Sequence, residues 1–470
     1  MIVRFTSQNT LGISETKFDS SNVKRGNAYN FAVLLGVALG VLSLFVDPFI
    51  IFVAPLIAAT VALVLYSPEA GVVITFIGLP FATMFGNDRI LLWSIALFSV
   101  SYLAKLARGK RIMRFDITDL FVMLFAFAVV CGGIKSNSDT VKDVLTPLLV
   151  ILGSFVVGNL MRTKLWQKRF ICSYVFAAAA IAAVTVLELV FPGEWDVFGI
   201  FANYGFAATP DSAATFMFPA LFATLTFTVY SEKVKEKIAS MLVALLLAFA
   251  IAVTDSAVGY HMIIGLIVLF IILKRETLSV AVVGLFAVPV TLTLLPSSVT
   301  GTLSRAFDLS SVLNYSSSKV FLGTVRMMLR FLISGMGQGN FSVIYPYFAV
   351  SGFERAERLP STLLKLFENY GIIGLLLVFA VFALFFANCF GFIRNSGSVR
   401  AKSAVAAGVA SVTCLLAKSV FFNTAGDVKL LFVMFSVFYI TCAAVRNGRQ
   451  EIEKNKIVDE NSEFSASIEI

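Results

Sequence analysis

Charge is what this chain has least of. Only 14% of its residues are Asp, Glu, Lys or Arg, whereas a water-soluble domain carries about 25%. With 58% apolar residues and a mean hydropathy of +0.90, a soluble globule is excluded. Histidine occurs once, at His261, and a lone histidine near the end of an apolar run reads as a packed, hydrogen-bonded residue before it reads as a catalyst. Cysteine is sparse: Cys131, Cys172, Cys389, Cys414 and Cys442 all fall inside apolar runs, with no CxxC spacing. They read as small apolar residues, so neither a disulfide nor a metal site is implied. The first thirty residues are polar and an apolar run follows them directly, so no cleavable signal peptide is expected. No solenoid repeat and no match between the two halves can be found, which argues against an inverted-repeat transporter.

What the chain does have is a succession of apolar runs, most of them long enough to cross about 30 Å of hydrocarbon. They fall near 30–46, 49–66, 70–86, 90–107, 117–134, 143–161, 170–191, 211–230, 238–254, 258–273, 277–295, 365–393, 403–422 and 429–445. The expected fold is therefore an all-α polytopic membrane protein with about 14 transmembrane helices. Phe occurs 47 times; aromatic rings suit lipid-facing surfaces and apolar grooves alike, and ordinary lipid-facing bulk accounts for most of them.

Basic residues orient the chain. With the amino terminus inside, the inward segments hold 25 of the 37 Lys and Arg residues, among them the links "KLARGKRIMR", "RTKLWQKR", "SEKVKEK" and "IRNSGSVRAK". That pattern satisfies the positive-inside rule and the opposite orientation fails it. The net charge of +9 thus follows from insertion, and no nucleic-acid partner is expected. The expected organisation is a cytoplasmic tail (1–29), transmembrane helices 1–11 (30–295), one large extracytoplasmic loop (296–360), helices 12–14 (361–445) and a second cytoplasmic tail (446–470). Both tails lack apolar periodicity and read as mobile.

The loop breaks the rule that orients the rest. It carries Arg305, Lys319, Arg326, Arg330, Arg355 and Arg358 against Asp308, Glu354 and Glu357. Cations gathered on the outward side point to an anion, and at a bilayer surface a lipid-linked phosphate is the anion at hand. After the Ser316–Ser318 cluster, a natural helix cap, the run "KVFLGTVRMMLRFLISG" predicts an amphipathic helix. At about 100° per residue, Lys319, Arg326 and Arg330 lie within about 20° of one line, with Gly323 beside it and Phe321, Val325, Met328 and Leu332 opposite. Arg326 and Arg330, at i and i+4, repel each other and require a compensating anion. The planar guanidinium fork suits phosphate, and two of them suit a diphosphate. The same row would also serve phospholipid head groups, or pair with the loop's own carboxylates. The following "GMGQGNF" has no strand before it and no Lys-Ser or Lys-Thr after it, which excludes a nucleotide fingerprint and leaves a tight re-entry turn.

The order of these features resembles the O-antigen ligase and O-antigen or exopolysaccharide polymerase superfamily of bacterial membrane glycosyltransferases. "TVRMMLRFLISGMGQGNF" followed by "STLLKLFENYGIIGLLLVF" carries the likeness, with "YSPEAGVVITFIGLPF" and "GIFANYGFAATPDSAATFMFPALF" upstream. The resemblance spans most of residues 30–445, and its specificity lies in the order of short motifs around the large outer loop. It implies a GT-C-like fold in the cytoplasmic membrane, no cofactor, and transfer of a glycan from undecaprenyl diphosphate to a sugar hydroxyl of a second lipid-linked glycan. Membrane lipids, a flippase and a chain-length regulator are the further partners it implies. Arg326 matches the family's loop arginine ahead of the Gly-rich turn and takes the diphosphate role; Arg330 joins it by helical geometry. Lys319, Arg305, Arg355 and Arg358 are further substrate-binding candidates. Glu368 matches the family's Glu before Gly-x-x-Gly, with Lys365 a turn earlier. That carboxylate either pairs with Lys365, positions the acceptor or orients an arginine.

The chain departs from the family at two places. The His-Asn pair of ligases is replaced by Pro360-Ser361-Thr362, which favours a polymerase over lipid A core ligation. "TDSAVGY" stands where relatives often carry Ser-Arg. Lys418, near the outer end of its run, either snorkels to the surface or adds a cation to the cleft. Glu188, Asp211, Asp255, Glu354 and Glu357 are alternative proton acceptors, and no pattern chooses among them. The expected activity is polymerisation of an O-antigen, exopolysaccharide or capsule-type glycan. A ligase of the same fold with a different acceptor, and a transporter or lipid-linked oligosaccharide flippase, are the competing readings.

The orientation is open to direct test. In a background with the five native cysteines replaced by alanine, Leu322→Cys is expected to react with a membrane-impermeant maleimide in intact cells, and Ala107→Cys only after permeabilisation. The reverse pattern overturns the assignment of sides.

Overall fold

The structure is a computed structural model, and it describes residues 48–79, 89–134, 140–190, 210–253, 259–273, 315–352, 361–396, 399–421 and 428–468. The expected spans at 30–46 and 277–295 lie outside the described residues, as do Arg305, Arg355 and Arg358. Among the described residues the regular elements are all helical. They comprise α1 (Pro48–Tyr66), α2 (Pro68–Gly78), α3 (Arg89–Ala107), α4 (Ile117–Ile134), α5 (Thr140–Leu160), α6 (Lys164–Val190) and α7 (Pro210–Tyr230). There follow α8 (Val234–Val253), α9 (Gly259–Leu273), α10 (Tyr315–Arg330), the single turn α11 (Phe341–Ile344) leading into the 3-10 turn Tyr345–Tyr347, α12 (Thr362–Asn395), α13 (Val399–Phe421) and α14 (Val428–Ile468). Seven helices among the described residues are long and apolar enough to cross a membrane, and several shorter apolar helices accompany them. The protein is an all-helical, multi-pass membrane protein.

The chain divides into two compact units, residues 1–62 and 63–470. Of the first, the described part is the amino-terminal stretch of α1. In the second, α7, α13 and α14 form the inner layer: 72% of each hydrophobic span is buried within the protein, against 28% in α3 and α6. Alanines and serines on α13 (Val405 to Ala410, Ser411) let α7, α9 and α14 approach closely. The outer helices turn large apolar side chains such as Trp93, Phe127 and Phe176 outward, where acyl chains replace protein as their solvent.

Part of the phenylalanine lies inside the protein, while Phe127, Phe176 and Phe379 are among those that remain exposed. Phe76, Phe98, Phe216, Phe218, Phe222, Phe385, Phe392 and Phe432 are wholly buried. Phe76 meets Phe170 edge-on at 4.7 Å and stacks on Phe432 at 5.1 Å, while Phe385 stacks on Phe438 at 4.8 Å. Rings can fill the gaps between helices whose small residues bring the backbones close, and edge-to-face and offset geometries add attraction beyond burial.

Helices α4 and α12 run antiparallel. Asn388 on α12 donates to Thr118 Oγ1 at 3.4 Å near the start of α4, and Tyr370 on α12 packs against Gly132 near its end. Thr118 and Gly132 are about 21 Å apart along a helix. At the Thr118 end the bundle is tied by polar links. Arg111 pairs with the buried Glu69, and the Arg114 N–H donates to Asn159 Oδ1 at 3.0 Å. Arg446 pairs with Asp116 at 3.1 Å, Asn447 donates to the Arg162 carbonyl, and Lys164 pairs with Glu451 at 2.8 Å. These last ties hold the turns of α14 just past its apolar stretch. The segment from residue 446, expected to be an irregular tail, is thus helical as far as Ile468. Its Glu, Lys, Arg and Gln content favours helix once a packed helix is there to propagate from.

The small-residue packing predicts a contrast. A Cβ added at Gly408 would meet the buried Thr441 side chain at 2.0 Å, whereas one at Gly391 would meet nothing within 4 Å. Gly408→Ala is expected to destabilise the detergent-solubilised protein by roughly 1–3 kcal/mol, and Gly391→Ala to leave its thermal midpoint unchanged or slightly raised.

Candidate functional site

The predicted amphipathic helix is present as α10, but it begins at Tyr315, so Ser316 to Ser318 form its first turn and not its cap. Gly323, Thr324, Met327 and Met328 are buried, while Phe321 and Leu332, on the apolar side expected to meet either protein or lipid, are 49% and 44% exposed. Met327 packs with Met336, Phe341 and Tyr345 in a small core of its own, joined by Val320, Phe331 and Leu364. At Gly323 a Cβ would lie 3.0 Å from the Tyr345 ring, so the glycine admits that ring against the helix.

Two apolar surfaces therefore flank the cations. One is packed on the protein; the other, with Leu322, Leu329 and Ile333, is open. Arg326 and Arg330 are exposed and Lys319 is half-buried along the seam between them. An amphipathic helix lying at a membrane interface has this arrangement, its apolar side sunk and its charges at head-group level. Neither Arg326 nor Arg330 has an ion pair among the described residues. Their mutual repulsion is not relieved by a nearby carboxylate of the described chain.

The turn after α10 is anchored by glycine. Gly335, Gly337 and Gly339 all have positive φ (64°, 87° and 80°), as does Gly371 (65°), where the α12 helix is broken by a kink. The two segments clasp each other through backbone. Met336 N–H donates to the Glu368 carbonyl at 2.7 Å, and Ile372 N–H donates to the Leu332 carbonyl at 2.8 Å. The contact is so close that a Cβ on Gly335 would sit 2.6 Å from the Glu368 carbonyl oxygen, and one on Gly371 would sit 2.3 Å from that of Ile333. A left-handed conformation and zero side-chain volume are required at both positions, which is what glycine alone supplies. The Gln338 side-chain amide adds a bond of 2.6 Å to Tyr370 Oη, and Asn340 donates to the Met336 carbonyl at 2.8 Å. Tyr370 is itself wedged against Phe125, edge-on at 5.7 Å. The re-entry turn expected from the sequence is thus also the joint that fixes the loop to the membrane helix.

Glu368 sits inside this joint, 4% exposed, with the Phe341 N–H facing its carboxylate. Its Oε1 is buried and has no hydrogen-bond partner among the described residues. Lys365, one turn earlier, makes no direct ion pair with it among the described residues, but its charge acts on the Glu368 carboxylate from a distance. The kink at Gly371 turns the Glu368 backbone toward the glycine loop, and the carboxylate goes with it. Among the described residues no ion pair links Glu368 to Arg326 or Arg330 either.

Lys418 does not snorkel. It is fully buried and donates to Thr215 Oγ1, where α13 packs on α7. A buried ammonium is costly in an apolar bundle, so Lys418 belongs with the polar residues lining the protein's interior and not its rim. Lys429 is buried too, at 5% exposure, which nothing in its sequence surroundings signalled. His261 is 2% exposed and its carbonyl accepts from Cys414 Sγ at 3.1 Å, in keeping with a packed residue. The "TDSAV" segment and the side chains of Glu188, Asp211 and Asp255 lie outside the described residues. No protein-family model matches the chain, and no curated protein matches it.

The clasp yields a prediction independent of any activity. Gly371→Ala places a side chain where φ is positive and a carbonyl is in contact, at a cost of roughly 1–3 kcal/mol to the joint. Hydrogen exchange at the Met336 and Ile372 amides is expected to accelerate in that variant, while amides in α13 keep their protection. Unchanged exchange at both amides contradicts the clasp.

Proposed function

We propose that the protein polymerises a bacterial surface glycan at the outer face of the cytoplasmic membrane, as a GT-C-like enzyme of about 14 spans with both termini in the cytoplasm. The observation that carries this reading is the pair Arg326 and Arg330. Both are exposed and unneutralised among the described residues, on an interfacial helix tied by backbone to a kinked membrane helix that holds a buried carboxylate. The order of motifs that resembles the O-antigen polymerase and ligase superfamily supports it.

In the proposed reaction a hydroxyl of the acceptor glycan attacks the anomeric carbon of the donor. The new bond forms as the bond from that carbon to the diphosphate oxygen breaks, with inversion as the resemblance implies, and undecaprenyl diphosphate leaves with the bonding pair. Negative charge grows on the departing diphosphate, and two guanidinium forks aimed there stabilise it more in the transition state than in the ground state. The hydroxyl proton passes to a carboxylate. Glu368, whose Oε1 lacks a partner among the described residues, is assigned the task of holding the acceptor hydroxyl. Lys319, Arg305, Arg355, Arg358 and Lys365 are assigned to the donor's phosphates and sugars. The open apolar side of α10 suits the polyprenyl chain, because Leu322, Leu329 and Ile333 present hydrocarbon beside the arginines.

Arg326→Ala is expected to lower polymer formation from an undecaprenyl-diphosphate-linked repeat unit by at least about 100-fold, with the protein still present in the membrane at its normal level. Arg326→Lys keeps the charge but not the fork and is expected to fall between the two. Wild-type polymer from the alanine variant ends the proposal.

A further inference from the structure

A second group of arginines, far from α10, lies at the Thr118 end of the bundle. A shallow recess there, half open to the surface, is lined by Arg114, Gly158, Arg162, Ala443, Arg446 and Asn447. Three guanidinium groups thus converge on a space floored by a glycine and an alanine. Only Arg446 has a carboxylate partner among the described residues, Asp116 at 3.1 Å. Arg162 is held by neutral acceptors instead: its Nη2 donates to Asn159 Oδ1 at 2.9 Å and to the Ile112 carbonyl. The Arg162 Nε is buried and makes no hydrogen bond among the described residues. The Arg114 side chain makes no ion pair there either, although its backbone N–H is fixed by Asn159.

Neutral groups position the Arg162 guanidinium without cancelling its charge. Burial depresses the Arg162 pKa, and the neighbouring Arg114, Arg111 and Arg446 depress it further, so the charges bear on one another. A cluster of this kind is stabilised by an anion with several oxygens, which can accept from more than one guanidinium together. We propose that this pocket binds a phosphate group, at the face that the distribution of basic residues assigns to the cytoplasm, where anionic lipid head groups are abundant. The site is separate from the proposed glycan chemistry and does not depend on it. It joins the 112–116 link, the α5–α6 turn and α14, so occupancy would brace three segments against one another.

The test uses full-length protein purified in an uncharged detergent. Thermal midpoints are measured with added phosphatidylglycerol, with inorganic phosphate and with phosphatidylcholine as the uncharged comparison. Phosphatidylglycerol is expected to raise the midpoint and phosphatidylcholine to leave it unchanged. Arg114→Gln and Arg162→Gln are each expected to weaken the phosphatidylglycerol response about tenfold or more in half-saturating concentration, the loss anticipated for one charge-assisted contact. Arg449→Gln, an exposed cation of α14 outside the pocket, is expected to retain the full response. Arg114→Gln removes no side-chain ion pair among the described residues, so it keeps the test alive should Arg162→Gln fold poorly. Equal protection by inorganic phosphate identifies a free-anion site; protection by the lipid alone identifies a head-group site. A response that survives in Arg114→Gln, or no response to either phosphate source, overturns the proposal.

Discussion

Two backbone hydrogen bonds between the Gly335 turn and the Gly371 kink hold the α10 segment to the helical bundle. A break in a helix within an apolar environment frees carbonyl and amide groups that cost several kcal/mol each if left unpaired. At Gly371 the break is answered from outside the helix, since Met336 N–H and the Leu332 carbonyl take up groups of residues 368 and 372. The loop in turn has its own orphan groups satisfied by the helix. Each segment therefore depends on the other for its conformation, and this dependence sets where α10, its arginines and the Glu368 carboxylate can be.

The same joint explains why α10 can be charged along one edge and apolar on both sides. Met327, Met336, Phe341 and Tyr345 form a small core distinct from the main one, so the helix does not need its whole apolar surface for folding. Leu322, Leu329 and Ile333 remain open. Polar groups are therefore separated by element as well as by depth. The clasp meets α4 near Gly132 through Tyr370, and the stitched arginines and carboxylates lie at its Thr118 end. Between the two lie layers of phenylalanine and small residues, with Lys418 an exception that the bundle accommodates through Thr215.

The helical class, the limits of most described helices and the amphipathic helix with its basic row were all legible, because they rest on hydropathy and on a period of 3.6 residues. Where the reading fell short, the missing information was the identity of a neighbour. Helical periodicity placed Phe321 and Leu332 on the side opposite the cations but could not tell whether protein or lipid would meet them. Ser316 to Ser318 had the composition of a cap, yet the helix starts one residue ahead of them. The residues after 446 had no apolar period, and ties to Asp116, Arg162, Lys164 and Asn388 hold that part of the helix to the bundle. Lys418 looked able to reach the surface because a long flexible side chain near a span end usually can; α7 closes that route.

By itself the sequence determined what kind of environment each segment needs: hydrocarbon for the apolar runs, a polar edge for the row of Lys319, Arg326 and Arg330, and a turn for the glycines. Those needs are local, since they follow from side-chain chemistry and from the repeat of a single helix. Only the tertiary structure decided that the turn and the Gly371 kink complete each other, that Glu368 is buried within their contact without an ion pair to Lys365, and that Arg114, Arg162 and Arg446 share one pocket. Each of these joins residues tens or hundreds of positions apart, and a one-dimensional pattern carries no record of which backbone groups, left unpaired by one segment, another segment will satisfy.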